Sequence, residues 1–143
     1  MRLKFGRLEN YPQNAKNFKT ATAGSMFTRE FMVSFEANAA DIQKWVEKSE
    51  GLKGITPDIY TKEHQYFPGF PSDANWLKML EKELPEAKYD YHPVVPHKPQ
   101  WLNDLKIKNG RKFQIPGKEG HGIGGILIID DDTNTVYLDL SWS

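Results

Sequence analysis

A two-residue alternation of apolar and polar side chains marks the first clear strand of the chain. In the segment REFMVSFEA the large apolar residues Phe31, Val33 and Phe35 share one parity, and polar residues interrupt the other. Such a period predicts a β-strand that buries one face. The strand therefore begins the part of the chain for which the pattern predicts a packed core.

The residues before this strand carry a weaker signal. Residues 9–28 are rich in Asn, Thr, Lys and Ala and have no clear period, which predicts an irregular arm after a short strand at Leu3 to Leu8. We therefore expect an N-terminal strand and arm over 1–28. A single α+β domain is expected over 29–143.

The period changes to that of a helix after the first strand. In NAADIQKWVEKSEG, Ile42, Trp45 and Val46 form an i, i+3, i+4 stripe, Asn38 is a suitable N-cap, and Gly51 is a suitable stop. The pattern predicts an amphipathic helix of about three turns. A second helix is predicted from Ser72 to Leu84, with Trp76 on its apolar face.

Two proline-rich segments flank the second predicted helix. ITPDIYTKEHQYFPGFP and PEAKYDYHPVVPHKPQW hold many of the aromatic residues and cannot form long helices, because proline fixes φ and lacks an N–H donor. We expect them to run extended over the surface and to offer rings to a partner. With one histidine of a later loop, the predicted binding residues are Trp101, Tyr66, Phe67, Tyr91 and His121.

The last third of the chain reads as β-structure. In LKIKNGRKFQI, a three-residue loop over 108–110 would place Leu105, Ile107, Phe113 and Ile115 on one buried face. In ILIIDDDTNTVYLDLSWS, one face of the second strand carries Val136, Leu138, Leu140 and Trp142. Ile126 and Ile128 join that face only if the connection around 131–134 has an odd number of residues, about three or five.

The run from Ile126 to Ile129 is apolar on both faces, which predicts a central strand. The predicted fold class is α+β, with a mostly antiparallel sheet of about four to five strands and two helices packed on it. The C-terminal β-hairpin is expected at the centre of that sheet. Trp45, Trp76 and Trp142 are expected in the core.

Composition narrows the classes of function. Lys plus Arg (19) equals Asp plus Glu (19), so no global charge favours nucleic acid, and no apolar run reaches the roughly 20 residues of a membrane span. No nucleic-acid partner and no integral membrane segment are expected. The chain has no cysteine, which excludes thiolate chemistry. The start lacks a secretory signal, so a cytoplasmic location is the default, with export or membrane anchoring expected if a signal has been trimmed away.

The stretch GHGIGG, residues 120–125, contains a G-x-G-x-x-G spacing. A phosphate loop needs a strand before the glycines and a helix after them, whereas here a strand follows. We interpret the stretch as a flexible connection in which Gly124 and Gly125 are small because a neighbouring side chain, for example a tryptophan, packs over the backbone. His121 remains a candidate acid, base or ligand because it titrates near neutral pH.

Three further patterns have local explanations. His92 and His97 have an H-x4-H spacing without a Cys pair, so His64, His121 or carboxylates would have to complete any metal site from a distance. DDDTN resembles a calcium loop but lacks its glycine and its glutamate, which favours a polar hairpin tip. A basic set is expected to guard a sheet edge against aggregation, and consists of Lys106, Lys108, Arg111 and Lys112. No cofactor is predicted.

The combination of NGRKFQIP, a glycine-containing loop and IIDDDTNTVYLDLSWS, with IQKWVEKSEGLKG upstream, resembles small uncharacterised bacterial domains. In those domains a helix with a tryptophan precedes a terminal β-hairpin that ends in Ser-x-Ser. The resemblance supports the fold and implies no activity or site.

The sequence favours a non-enzymatic protein-binding or interaction module of unknown partner, such as an immunity-type or envelope-associated protein. No coherent catalytic constellation stands beside the long aromatic loops. This interpretation requires an exposed apolar patch that includes Trp101 or Tyr66. The alternative is a small hydrolase or metal-dependent enzyme, which requires at least two of His92, His97 and His121 within about 4–5 Å of each other.

Overall fold

A computed structural model of the chain describes residues 3, 6–24, 29–60, 98–103, 105, 107–116 and 124–142. Its strands are β1 (Lys16–Gly24), β2 (Arg29–Glu36), β3 (Asp58–Tyr60), β4 (Gly110–Ile115), β5 (Gly124–Asp130) and β6 (Thr135–Trp142). Its helices are α1 (Ala39–Lys48), a 3-10 turn (Glu50–Leu52) and the short α2 (Gln100–Asn103). The predicted α+β class is confirmed, while the helix predicted over 72–84 lies outside the described residues.

The strands form one antiparallel sheet in the order β1-β2-β6-β5-β4-β3. The C-terminal hairpin of β5 and β6 is central, as predicted. In the described part of the chain the sheet has six strands, where four to five were expected. The irregular arm predicted over 9–28 is wrong for β1, which pairs with β2 along its length. Polar edge strands lack the apolar alternation that reveals half-buried ones, because pairing with a neighbour sets their conformation.

One face of the sheet carries the main core. Alternate residues of β2, β4, β5 and β6 pack there under α1 and the N-terminal segment. Trp45 of α1 is 3% exposed and contacts the Phe35 ring edge-on, with ring centroids 5.6 Å apart. The predicted helix and its buried Ile42 and Trp45 are confirmed. Trp142, predicted in the core, is partly buried and packs against the same cluster.

The opposite face carries a smaller apolar cluster. Leu105, Ile107 and Ile128 are buried there, and Leu102 of α2 packs against them. Because Leu127 and Ile129 lie in the main core, β5 is buried on both faces, as its apolar run predicts. The segment that contains α2 therefore covers part of the second face.

The register of the central hairpin differs from the prediction. Asp130 pairs with Thr135, so four residues connect β5 and β6, and Leu127 and Ile129 share the main core with the apolar residues of β6. Ile126 and Ile128 lie on the second face instead. The prediction of an odd connection was wrong because both parities of β5 are equally apolar.

The hairpin predicted across Leu105 to Ile115 is also wrong. Leu105 and Ile107 precede β4 outside any strand and pack on the second face, whereas Phe113 and Ile115 lie in the main core. β4 pairs instead with β3 and β5. The chain bends before Gly110, so residues of equal parity approach the sheet from opposite sides.

Hydrogen bonds attach the N-terminal segment to the end of α1. The Trp45 Nε1–H donates to the Glu9 carbonyl at 2.9 Å, and the Glu9 N–H donates to Ser49 Oγ at 3.0 Å. The Gly51 N–H donates to the Arg7 carbonyl at 2.9 Å. These bonds satisfy groups that the packed side chains remove from water.

Lys112 is a buried charge on the second face. Its side chain comes from β4, lies across from Asp58 of β3, and leaves the residue only 8% exposed. Burial lowers the pKa of the Lys112 ammonium below its usual 10.5, and the charge of Asp58 opposes part of this effect. Because the unfolded chain binds the proton more readily, the charged Lys112 destabilises the native state at neutral pH.

We expect Lys112→Met to raise Tm by about 2–4 °C at pH 7. Lysine in the unfolded chain titrates near 10.5, so the wild-type stability should rise through the pH window between the lowered native pKa of Lys112 and 10.5. Burial raises the pKa of the Tyr137 hydroxyl above its usual 10.0, and this shift lowers the stability of the native state as the pH rises above 10. The melting temperatures of the two proteins are therefore compared between pH 7 and 10. Calorimetric melting of both proteins across that range measures the difference.

The exposed variant Lys108→Met serves as the control and should leave Tm nearly unchanged. A gain in Tm for Lys112→Met that stays constant from pH 7 to pH 10 would rule out the assigned cause.

Candidate functional site

The binding residues predicted from the sequence fall largely outside the described residues. Trp101 is described and lies half-buried in α2. The other predicted binding and metal residues lie outside the described part of the chain: Tyr66, Phe67, Tyr91, His92, His97 and His121. The predicted aromatic patch and the histidine cluster therefore stay predictions. Within the described ranges, no three His, Asp or Glu side chains group together as metal ligands.

The carboxylates of Asp130 and Asp132 at the acidic hairpin tip accept hydrogen bonds from nearby groups of the protein. Asp130 Oδ1 accepts from the N–H of Asp132 at 2.9 Å and of Thr133 at 3.4 Å. Asn109 Nδ2 donates to both carboxylate oxygens of Asp132 at 3.1 Å. The arrangement is that of a polar turn, which the absence of the glycine and the glutamate of a calcium loop had favoured.

The basic set predicted to guard a sheet edge does not lie on one where it is described. Arg111 and Lys112 belong to β4 where β3 and β5 pair with it on both sides. Arg111 donates to Asp131 at 3.2 Å and to Gln43 of α1 at 2.9 Å. The short strand β3 lies in a proline-rich segment and is not predicted from the sequence. Without it, β4 is predicted to lie at an edge of the sheet. Lys106 lies outside the described residues.

The two glycines that end GHGIGG begin strand β5. A Cβ on Gly125 would lie 2.3 Å from the Asp139 carbonyl oxygen and 2.8 Å from a Leu140 methyl. Close packing therefore requires the glycine, as predicted, although the neighbour is β6 rather than a tryptophan. Residues 120–123 of the motif lie outside the described residues.

The β1 edge (Lys16–Gly24) is the first candidate binding surface. No described strand lies beyond β1, and seven of its nine residues are exposed. An edge strand presents N–H and C=O groups that a further strand can pair with. Among the described residues, no ion pair involves Lys16 or Lys19 of this strand. The edge therefore combines unpaired backbone groups with unneutralised positive charge.

An aromatic residue lies at the beginning of this edge. Lys16 pairs with Glu36 and Lys19 with Ser34, so Asn17 and Phe18 form a bulge, and Asn17 has a positive φ of 55°. Phe18 is 47% exposed. Its ring contacts the Tyr11 ring edge-on, with centroids 5.1 Å apart, and its centroid lies 5.8 Å from that of the Phe35 ring. Phe18 is thus an exposed apolar group with a fixed position.

A cavity of about 550 Å³ lies at the other end of the β1 edge. It is lined by Thr22, Ala23, Gly24, Arg29, Glu30 and Trp142. Among the described residues, Arg29 forms no ion pair. The cavity extends the exposed surface of β1 across the end of the sheet.

The Asp139 pocket is the second candidate site and lies on the second face of the sheet. It has a volume of about 330 Å³, and its lining comprises Glu30, Lys98, Gln114, Gly124, Gly125, Ile126, Asp139 and Ser141. Ser141 pairs with Glu30 on one side and with Gly124 on the other, so one neighbour of the hydroxyl is a carboxylate and the other lacks a side chain. The pocket therefore concentrates polar groups over a sheet surface.

Asp139 is a mostly buried charged group of this pocket. Its side chain is 13% exposed, and Oδ2 lies 2.8 Å from Nζ of Lys98, which is 20% exposed. The other oxygen, Oδ1, is buried and accepts no hydrogen bond from the part of the chain that the structure describes. A buried acceptor without a donor is costly, so Oδ1 marks a position where a hydrogen-bond donor would be stabilised.

Neither surface is predicted from the sequence. Tyr137, Asp139 and Ser141 share the polar parity of β6, and a carboxylate on a central strand is a signal that could have identified the pocket. Lys98, its ion-pair partner, is too distant in sequence to be recognised. The lysines of β1 carried no signal because the strand itself was not predicted.

Comparison with protein-family models, with curated proteins and with solved structures finds no match for this chain. Among the helices of the described residues, none has the length and apolar character needed to cross a membrane.

Proposed function

We propose that the protein is a non-enzymatic protein-binding module that holds an extended segment of its partner along the β1 edge. The observation that carries the proposal is the nine-residue length of an exposed edge strand. A strand of this length spans about 30 Å, enough for several main-chain hydrogen bonds to an added strand. The opposite described edge, β3, has three residues and offers far less.

The charges of the edge favour an acidic partner. Lys16 and Lys19 lie on β1 and Arg29 on the adjoining strand, and none of the three forms an ion pair with a described carboxylate. A second copy of β1 would bring like charges together, which disfavours self-association. The bulge at Asn17 also disfavours a flat contact between identical edges. An acidic extended segment would be attracted by the same positive charges that repel a second copy.

Phe18 and the cavity at the end of β1 supply side-chain recognition. Exposed aromatic residues in fixed positions are frequent anchors of protein interfaces. Phe18 can contact an apolar side chain of the partner near Lys16, and the cavity beside Arg29 can accept another near Gly24. Main-chain pairing would then supply affinity, and these two positions would supply specificity.

Two proline variants test the proposal. In an antiparallel pair, successive residues alternate between bonding the neighbour and pointing away from it, so of Thr20 and Ala21 one N–H faces β2 and the other faces the open edge. We expect Thr20→Pro and Ala21→Pro to differ in Tm, the more stable one having lost only the outward N–H. That variant should lose the partner while it keeps the fold.

The readout is the set of proteins that the wild type captures from an extract of the cells that make it, compared with the set captured by the stable proline variant. Lys16→Glu with Lys19→Glu should weaken capture through charge, whereas Lys108→Glu on the far side of the sheet is the matched control and should not. Capture that is equal for the wild type and the stable proline variant would refute the β1 edge as the binding surface.

A further inference from the structure

A β-bulge places Lys16 and Lys19 on the same face of β1. In a regular strand, residues three apart in sequence point to opposite faces. Here Lys16 pairs with Glu36 and Lys19 pairs with Ser34, so the two residues between the lysines lie opposite a single residue of β2. The lysines are therefore one strand repeat apart, about 7 Å, on one face.

Neighbouring side chains fix this bulge. Asn17 has a positive φ of 55°, a conformation that asparagine adopts more readily than most residues, and its Nδ2 donates to the Glu36 carboxylate. Phe18 packs against the rings of Tyr11 and Phe35 on the side of the main core. The spacing of the two lysines is thus a built feature of the edge.

The charges of both lysines are available to a partner. Lys16 and Lys19 are exposed, and neither forms an ion pair within the part of the chain that the structure describes. Glu36 lies across from Lys16, but its carboxylate accepts the hydrogen bond from Asn17. Opposite charges on directly paired residues of neighbouring strands stabilise the pairing. A strand added to β1 would therefore gain from two acidic residues, one at each of two alternate positions.

The same face of β1 becomes small and apolar toward its other end. Ala21 lies two residues beyond Lys19, is half-buried, and pairs with Met32, which is fully buried. A methyl group carries no charge and leaves room beside it for a larger side chain. A strand added here would therefore gain from a large apolar residue opposite Ala21.

We propose that the partner segment runs antiparallel to β1 and carries a large apolar residue followed, two and four positions later, by acidic residues. These three residues lie opposite Ala21, Lys19 and Lys16 in turn. The antiparallel direction follows the sheet, in which every described strand pair is antiparallel, and antiparallel pairing is slightly the more stable per residue. This inference rests on the proposed function, because it assumes that the segment binds at the β1 edge.

Three capped synthetic peptides test the pattern. The matching peptide is Ser-Thr-Thr-Val-Thr-Glu-Thr-Glu. Its isomer Ser-Thr-Thr-Val-Thr-Thr-Glu-Glu has the same composition and charge, but its acidic residues are adjacent and face opposite sides. The third peptide has the matching sequence in reverse order. In NMR titrations of the isotope-labelled protein, we expect the matching peptide to shift the β1 amide signals between Lys19 and Gly24, with a Kd of about 1 mM or lower. The isomer and the reversed peptide should each bind about fivefold more weakly.

A double variant shows whether the lysines cause the preference. In Lys16→Gln with Lys19→Gln, the matching peptide and its isomer should bind equally, because no cation distinguishes the positions of their acidic residues. Lys108→Gln, at an exposed lysine outside β1, is the matched control and should keep the fivefold preference.

The outcomes separate this inference from the proposed function. Equal binding of the matching peptide and its isomer to the wild type, with shifts confined to β1, would overturn the pattern and leave the β1 edge as the binding surface. Tighter binding of the reversed peptide would overturn the antiparallel direction. Shifts outside β1 alone would overturn the pattern and the binding edge together. Tighter binding of a thymidine octanucleotide would also overturn the inference, because that polyanion has no peptide N–H groups to pair with a strand.

Discussion

Replacing Trp45 by alanine is expected to lower the free energy of unfolding by about 3–5 kcal/mol. The indole is 3% exposed, contacts the Phe35 ring edge-on, and donates through Nε1 to the Glu9 carbonyl at 2.9 Å. Its removal leaves a cavity between α1 and the sheet and an unsatisfied carbonyl in the N-terminal segment. Urea denaturation monitored by circular dichroism measures the loss.

Trp45→Phe is the matched control. It keeps a ring against Phe35 and loses the hydrogen bond and part of the volume, so a loss of about 1–2 kcal/mol is expected. Equal losses for both substitutions would mean that the hydrogen bond, and not the packing, dominates. A loss below about 1 kcal/mol for Trp45→Ala would contradict the position of Trp45 in the core.

Gly51→Ala is expected to cost about 3 kcal/mol. A Cβ at this position would lie 1.9 Å from the Gly6 carbonyl oxygen and 3.4 Å from the Arg7 Cβ. The nearest obstacle is backbone, which cannot rotate away as a side chain can, and the Gly51 N–H bond to the Arg7 carbonyl fixes the approach. The N-terminal segment would have to move off the end of α1. Chemical denaturation of the variant measures this cost.

Gly54→Ala separates steric closeness from backbone conformation. Gly54 has a φ of +76°, and a Cβ there meets nothing within 4 Å. Its substitution should cost about 1 kcal/mol, from the left-handed conformation alone. If Gly54→Ala proved as costly as Gly51→Ala, the close contact of Gly51 with Gly6 would not be the cause.

Periodic burial explains which parts of the fold could be predicted. α1 and β6 each bury one clear set of apolar residues, so their sequences carry the period of the element. β2 shows the two-residue period at Phe31, Val33 and Phe35, but the prediction that it buries one face is wrong, because Met32 and Ser34 on its other face are buried as well. The pattern predicts Gly51 as a helix stop, whereas α1 ends at Lys48 and Gly51 packs closely against Gly6. The space around a residue depends on distant segments, which a local pattern does not record.

The register of β5 and the existence of β1 could not be derived from the same patterns. Both parities of β5 are apolar, so the hydrophobic pattern does not decide whether Leu127 or Ile128 faces the main core. β1 lies at the edge, where most of its side chains face water and no apolar alternation is needed. The candidate sites could not be predicted for a similar reason. A polar residue becomes part of a site only when a residue distant in sequence packs beside it, as Lys98 packs beside Asp139.

Hydrogen–deuterium exchange of the β1 amides, with and without the captured partner, tests the central claim most directly. The outward N–H groups between Lys19 and Gly24 should exchange at least about tenfold more slowly in the complex, because an added strand bonds them. Amides of α2, which holds Trp101, should be unchanged. Unchanged exchange in β1, with protection in α2 instead, would contradict binding at the β1 edge.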